Sequence, residues 1–505
     1  MKRLALKEKI GEGGRLLSYA AGNMLGGGSQ MITSLYYLNF LIFAMQLPPL
    51  LAGLVTGISK VWDGIIDPVL GVAVDRTKTR WGACRPWLLA SVLPVFVAYI
   101  MLWNHWGIQS TAGRFAYFLF ASILFSTAAS VGTVPYEALL PRMIESYDAR
   151  ASYSVLRSLL AGMTNALSVW VFEAMVTIKE TADYTTQIPN FSRMGTVLGL
   201  IFAAAPLITF LGSKEKAKLF VPESVSFSGV FRQYGRLLRS RIYRRTLFLN
   251  IAGSFVSYCC TAVQIIFILL VFNNLNFKIP IAGVTFSLVF LAVNWEGAWE
   301  VMSFFTSTLL MTKGGKHAPF KLNFPFHIVG NLLFLFITKS TPLWFFFVAL
   351  AMSGFGASCI SFIPSCLLPD LPDVEEAISG KQLEGSMAGL LNLGRQLAQG
   401  LAFLLSGALL GAFGLSEENA TPALGAGLPL MSVKILYAVI PVLCGVAMWA
   451  FSRRWPLSAE RLAMIQTKVA QKRSEGVAVL SPEERTALQE VTGLPTEELW
   501  LARTQ

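Results

Sequence analysis

Hydrophobic stretches long enough to cross a bilayer recur along this chain from residue 18 to residue 452, and that recurrence leaves few folds open. A hydrocarbon core of roughly 30 Å needs about 20 apolar residues in helical form, because a backbone without water partners must bond to itself. Twelve runs reach or approach that length, at 18–43, 49–74, 86–104, 113–139, 155–178, 192–212, 246–272, 281–310, 324–338, 342–368, 387–411 and 431–452. The expected class is an all-α membrane protein with twelve transmembrane helices. Only 14% of the 505 residues are charged, against roughly 25% in a soluble domain.

The formal charge of +12 would suggest nucleic acid in a soluble chain, but here it sits in alternate connections. Arg76, Lys78, Arg80 and Arg85 follow the second run, Arg142 the fourth, and Lys214, Arg232, Arg236, Arg239, Arg241, Arg244 and Arg245 the sixth. The connection near 105–114 has only Arg114. Basic connections stay in the cytoplasm, so both termini are expected there, in a multi-pass plasma membrane protein of the bacterial inner membrane, with membrane lipid and not nucleic acid around it. The chain divides into residues 1–212, a central cytoplasmic loop 213–245, residues 246–454 and a cytoplasmic tail 455–505. In the tail Ser458 opens one short helix, and Ser481 with Pro482 at the first position opens another. Two six-helix halves suit a transporter with its site near mid-membrane.

The polar residues inside the runs narrow the chemistry. Asp63 and Asp67, four residues apart, share one helix face, and a charge facing lipid is costly, so they are expected to face a protein or water-lined cavity. Such a pair supplies oxygen ligands to a cation or carries a proton when one member's affinity is raised. A structural pair balanced by Lys60 is the alternative reading. Glu296 and Glu300 form a second acidic pair, flanked by Trp295 and Trp299, which either stack on a sugar or pack between helices. Three scattered histidines (His105, His317 and His327) and six cysteines lack ligand or disulfide spacing. No nucleophile–base set or phosphate loop stands out, so neither an enzyme nor a cofactor beyond the coupling ion is expected. Asn419-Ala420-Thr421 matches a glycosylation triplet of low specificity.

Trp62-Asp63-Gly64-Ile65-Ile66-Asp67-Pro68-Val69-Leu70-Gly71, followed by Asp75-Arg76-Thr77-Lys78-Thr79-Arg80-Trp81-Gly82, resembles the second helix and following loop of the glycoside-pentoside-hexuronide:cation symporters, the melibiose-carrier branch of the major facilitator superfamily. Val134-Pro135-Tyr136, Asp148 with Arg150 and Arg157, and Pro369-Asp370-Leu371-Pro372-Asp373 resemble further family segments. The resemblance implies the major facilitator fold and cation-coupled import of a small sugar, glycoside or sugar acid by alternating access in a monomer. It implies cation coupling at Asp63 and Asp67, with Ser130 and Thr133 on helix four beside them. Ile66 and Thr133 stand where the family has an amide and an acid, and a helix-one acid is missing near Gly27, so H+ is slightly preferred over Na+. Arg157 and Arg395 are expected at the solute with Trp295, Glu296, Trp299 and Glu300; Lys60, Asp75, Arg76, Arg80, Arg85, Glu137 and Arg142 are expected to gate, Glu137 pairing with Arg142 or another arginine. The missing sugar-side acids also leave open an amphipathic, lysolipid-like solute, carried by a related eukaryotic branch.

Overall fold

The computed structural model describes residues 13–143, 147–176, 184–215, 227–272, 279–281, 284–314, 318–381, 383–415, 430–453 and 455–502. His317, Asn419-Ala420-Thr421 and the side chains of Asp148 and Arg150 lie outside the described residues. The first six long helices are α1 (Asn23–Ile32), α2 (Pro49–Arg76), α3 (Arg85–Leu102), α4 (Thr111–Met143), α5 (Tyr147–Met175) and α6 (Ile188–Gly212). After α7 (Phe227–Leu237) come α8 (Arg241–Phe272), α9 (Leu288–Gly314), α10 (Ala318–Phe336), α11 (Leu343–Leu367), α12 (Leu371–Ser379) and α13 (Glu384–Ala412). The chain closes with α14 (Leu430–Lys434), α15 (Ile440–Ser452), α16 (Ala459–Glu475) and α17 (Pro482–Thr492). Among the described residues, six helical segments are long and apolar enough to cross a membrane, and the chain is a multi-pass membrane protein.

Two local departures from plain α-helix follow from side-chain chemistry. Beyond α1 the helix widens into π-turns at Thr33–Tyr37 and Phe40–Ala44, beside a run of side chains that bond to their own backbone: Ser29 to Leu25 O, Thr33 to Ser29 O and Asn39 to Leu35 O. The eighth run, expected to be helical from 281, instead begins in an antiparallel hairpin of β1 (Ile279–Ile281) and β2 (Val284–Phe286), with Ile279 opposite Phe286. Its branched and aromatic residues suit a strand, and the helix starts only where the Ser287 hydroxyl accepts the Phe290 N–H at 2.9 Å.

Two compact units interleave along the chain. The first comprises Met1–Ser226, Thr261–Leu291 and Gly400–Val433; the second comprises Phe227–Cys260, Ala292–Gln399 and Lys434–Gln505. In the first, Trp103 is fully buried and stacks on Phe191 at 6.1 Å, with Tyr37 edge-on at 5.5 Å. Backbone meets backbone where α2 crosses the later part of α13. A Cβ on Gly57 would lie 2.8 Å from Gly400 O, and one on Gly400 would lie 2.8 Å from Gly57 O. Small residues permit such contact where the hydrophobic effect cannot drive association. Gly400→Val is therefore expected to destabilise the folded protein by ~1–3 kcal/mol in detergent thermal unfolding, whereas Gly411→Ala, whose Cβ would meet only Pro49 Cβ at 3.9 Å, leaves it unchanged.

The second unit carries a folded cap built from the tail. Ser458 accepts the Arg461 N–H, and Ser481 with Glu484 forms a reciprocal capping box; both helices end in left-handed glycines, Gly476 and Gly493. Ile465, Val469, Leu488 and Val491 bury against Tyr234 and Leu237 of α7 and Leu371 and Val374 of α12. Arg473 holds Glu376 through both carboxylate oxygens, and Gln466 donates to Asp373 at 2.7 Å. The tail is thus part of the core of this unit.

Beside Glu376, Glu375 is buried and its Oε1 has no hydrogen-bond partner. Burial pushes its carboxyl up to about 7, against the pull of Ser379 and Arg236. From the ordinary glutamate value of 4.5 up to about 7, the folded protein holds a proton that the unfolded chain has lost. Stability therefore falls as pH rises through that window and levels off above it. Glu375→Gln should raise the unfolding temperature at pH 8 by a few degrees relative to wild type and change it little at pH 4.5; an equal effect at both would exclude the ionised side chain as the cause.

Candidate functional site

On α2 the apolar Ile58, Trp62, Ile65 and Val69 are exposed while Thr56, Ser59 and Asp63 are buried, so a lipid-facing stripe leaves the polar stripe turned inward. The inward stripe, together with Trp62 at its edge, meets α4 at three successive levels. Ser126 donates to Ser59 O at 3.2 Å, the Trp62 indole N–H donates to the Thr127 hydroxyl at 2.9 Å, and the buried Ser130 Oγ lies 3.0 Å from Asp63 Oδ1 and 2.6 Å from Asp67 Oδ1. Lys60 Nζ stands 3.7 Å from Asp63 Oδ2 and donates to Gln30 Oε1 at 2.8 Å. One turn further along lies a small cavity lined by Thr33, Tyr37, Ser59, Lys60, Ser122 and Ser126 among others.

The hydroxyl between the two acids carries one hydrogen. It can donate to one carboxylate, and it can bond to the second only by accepting, which requires that carboxyl to hold a proton. Both contacts of Ser130 can be hydrogen bonds at once only when the pair carries a proton. Thr133 stands apart from this set: its hydroxyl donates to Ala129 O at 3.0 Å, and its methyl faces α1 near Gly26. The sequence pattern placed Thr133 by position on the helix; the backbone carbonyl one turn earlier claims its hydrogen.

Arg157 of α5 donates to Glu137 at 3.4 Å and lies over the Tyr136 ring at 5.4 Å, next to the stacked Tyr19–Tyr136 pair. Of the two partners expected for Glu137, Arg142 or another arginine, the structure brings Arg157 to it, while Arg142 bonds Asp75 at 2.7 Å. Arg85 donates to Phe210 O, Arg80 lies over the Trp81 ring, and Arg76 is exposed in the last turn of α2. Sequence reasoning missed Glu215 here. Its carboxylate accepts the backbone N–H groups of Ala83, Cys84 and Arg85 at 2.8–2.9 Å, tethering the start of α3 to the segment after α6. Gly82, at φ +103°, makes room for it, since a Cβ there would lie 2.4 Å from the Glu215 carboxyl carbon.

In the second unit, Arg395 donates to Tyr258 at 3.1 Å and to Asn392 at 2.7 Å. Trp295 donates its indole N–H to Phe347 O at 2.9 Å and meets Trp299 edge-on at 6.0 Å, so it packs α9 against α11 and its polar atom is taken. Glu296 backs onto Gly354 so closely that a Cβ there would lie 2.4 Å from Glu296 O; Glu300, one turn on, is half-buried. His327 is buried among Ser353 and Asn331 as part of a helix-packing cluster. Asp75→Asn is expected to change the distribution of conformations, read by paired spectroscopic labels, more than the equilibrium affinity for solute; an unaltered distribution would exclude the Asp75–Arg142 bond as a gate.

The family model described as MFS/sugar transport protein matches residues 18–459. An uncharacterized symporter from Synechocystis is 28% identical over 40% of this chain, which spans 37% of that relative's length. The glucuronide carrier protein homolog of Escherichia coli is 20% identical over 90% of this chain and 94% of its own. The sodium-dependent lysophosphatidylcholine symporter 1-A of Danio rerio is 24% identical over 46% of this chain and 51% of its own. A crystal structure of the nucleoside transporter NupG superposes with a TM-score of 0.62 at 12% identity, covering 86% of this chain and 99% of that one, and shares the fold. The chain belongs to the MFS/sugar transport protein family of GPH-type sugar symporters, and is a transporter and not an enzyme.

Proposed function

We propose that this protein imports a small sugar, glycoside or sugar acid by alternating access of two six-helix halves, twelve spans in all, and that the coupling ion is a proton held by Asp67 and Ser130. The observation that carries this reading is the single Ser130 hydroxyl between two carboxylates. Lys60 beside Asp63 favours that acid as the charged member, which leaves Asp67, 2.6 Å from the hydroxyl, to hold the proton. Asp67 donates to Ser130, and Ser130 donates to Asp63. Loss of the proton leaves the Ser130 hydroxyl able to bond only one of the two carboxylates, which favours a different conformation of α2 against α4.

The solute class rests on the polar lining next to the pair and on the family. The hydroxyls of Thr33, Tyr37, Ser59, Ser122 and Ser126 with the Lys60 ammonium suit a polyhydroxylated molecule. Arg157 and Arg395 add guanidinium groups for a sugar acid, in keeping with the glucuronide carrier relative. Glu296, Glu300 and Trp299 are candidate solute contacts of the second unit, while Trp295 serves packing. The basic connections support a cytoplasmic side for both termini, and a bacterial inner membrane is the proposed location. The lysophosphatidylcholine relative supports a second reading, an amphipathic solute, which competition with lysolipid during uptake separates from a sugar.

Uptake in sealed vesicles, with pH and sodium gradients imposed independently, tests the coupling. Wild type should concentrate solute down a proton gradient. Asp63→Asn and Asp67→Asn should each abolish concentration while allowing exchange at equal concentrations. Ser130→Ala should weaken proton-driven uptake roughly ten- to hundredfold, in line with the ~1.5–3 kcal/mol of a hydrogen bond to a charged group. Normal concentration by both Asp variants would remove the site, and uptake that follows sodium at fixed pH and potential would replace the proton.

A further inference from the structure

One half-buried acid takes no part in the sites described so far. Glu173 lies in the last turn of α5, at the end remote from the basic connections, and is held from two directions inside the first unit. Tyr36, in the π-turn segment after α1, donates its hydroxyl to Oε1 at 2.9 Å, and its ring stacks on Phe172 at 3.8 Å. Ser287, the residue before α9, donates to Oε2 in a short bond. The Ser287 hydroxyl also accepts the Phe290 N–H at 2.9 Å, so its one hydrogen is committed to Glu173. Among the described residues, the groups that face Glu173 from the elements packed on it are Tyr36, which is titratable, and Ser287; no described lysine, arginine or histidine pairs with it.

Each oxygen of the charged form accepts one hydroxyl hydrogen. A proton from water turns one oxygen into a donor, and the hydroxyl facing it can then keep the contact only by turning its own hydrogen away and accepting. One of the two donor links to Glu173 is lost. We propose that Glu173 is a second proton-binding site of this transporter, separate from Asp63 and Asp67, and that its charged form latches the start of α9 to α5 and to the segment after α1. The chain passes from the first unit to the second between Leu291 and Ala292, one turn beyond Ser287. The latch therefore sits where movement of α9 begins. Protonation from the side opposite the basic connections frees α9 there, and deprotonation closes it again.

The proposal needs a transporter that changes conformation but not a proton at Asp67. Full-length protein in liposomes, spin-labelled on the last turn of α5 and the first turn of α9, is titrated with pH while the label separation is read. Wild type should show a short separation at high pH and a several-fold larger population of long separations at low pH. Glu173→Gln should show the long separation throughout, and Ser287→Ala, which keeps the acid, should lengthen the high-pH separation. The double variant Asp63→Asn with Asp67→Asn should keep the wild-type curve. A wild-type curve in Glu173→Gln, or in Ser287→Ala if the former does not fold, would overturn the latch. Loss of the curve in the double aspartate variant would also overturn it, assigning the response to the α2 pair.

Discussion

Inside a bilayer a hydrogen-bonding group finds its partner in the protein or goes without, and the polar architecture of this chain is a set of answers to that constraint. Thr133, Ser29 and Asn39 return their hydrogens to the helix that carries them. Ser126, Trp62 and Ser130 instead reach across from one helix to the other and fix the register of α2 against α4. Register is what brings two acids to one hydroxyl. A change of one proton there alters which contacts can be made, and the helix pair has reason to change shape.

The same logic separates the roles of the two membrane-embedded acid sites. At Asp63, Ser130 and Asp67 two acids share one donor, the arrangement on which the proposed proton site rests. At Glu173 one acid meets two donors, the arrangement on which the proposed latch rests. On the basic side the Asp75–Arg142 pair and the Glu215 tether hold short connections together, with Arg142 buried and Asp75 exposed.

Much of this was legible in the chain itself. Apolar length marks helices wherever a segment must satisfy its own backbone, so α2 to α6 fall close to their expected limits, and the serine and proline at Ser481 and Pro482 mark the start of α17 because a cap is a local device. The i,i+4 spacing put Asp63 and Asp67 on one face. What could not be read were choices among partners distant in sequence. Arg142 selects Asp75 and leaves Glu137 to Arg157; Glu215 reaches back to residues 83–85; Ser287 finds Glu173. Local pattern also misjudged residues 281–286, where β-branched residues pair as strands before the helix begins, and gave no sign that apolar positions of the tail complete a core.

The central claim is that one proton resides at Asp67, bonded through Ser130 to a charged Asp63. Infrared difference spectroscopy of the protein in lipid, recorded between high and low pH, reads it directly in the carboxylic acid C=O stretch. Glu375 and Glu173 contribute bands of their own, so the account requires one further band that vanishes in Asp67→Asn, persists at altered frequency in Ser130→Ala as its hydrogen bond is lost, and is insensitive to sodium. A spectrum that loses no band in Asp67→Asn, or a loss of the Asp67 band on adding sodium at constant pH, would contradict it.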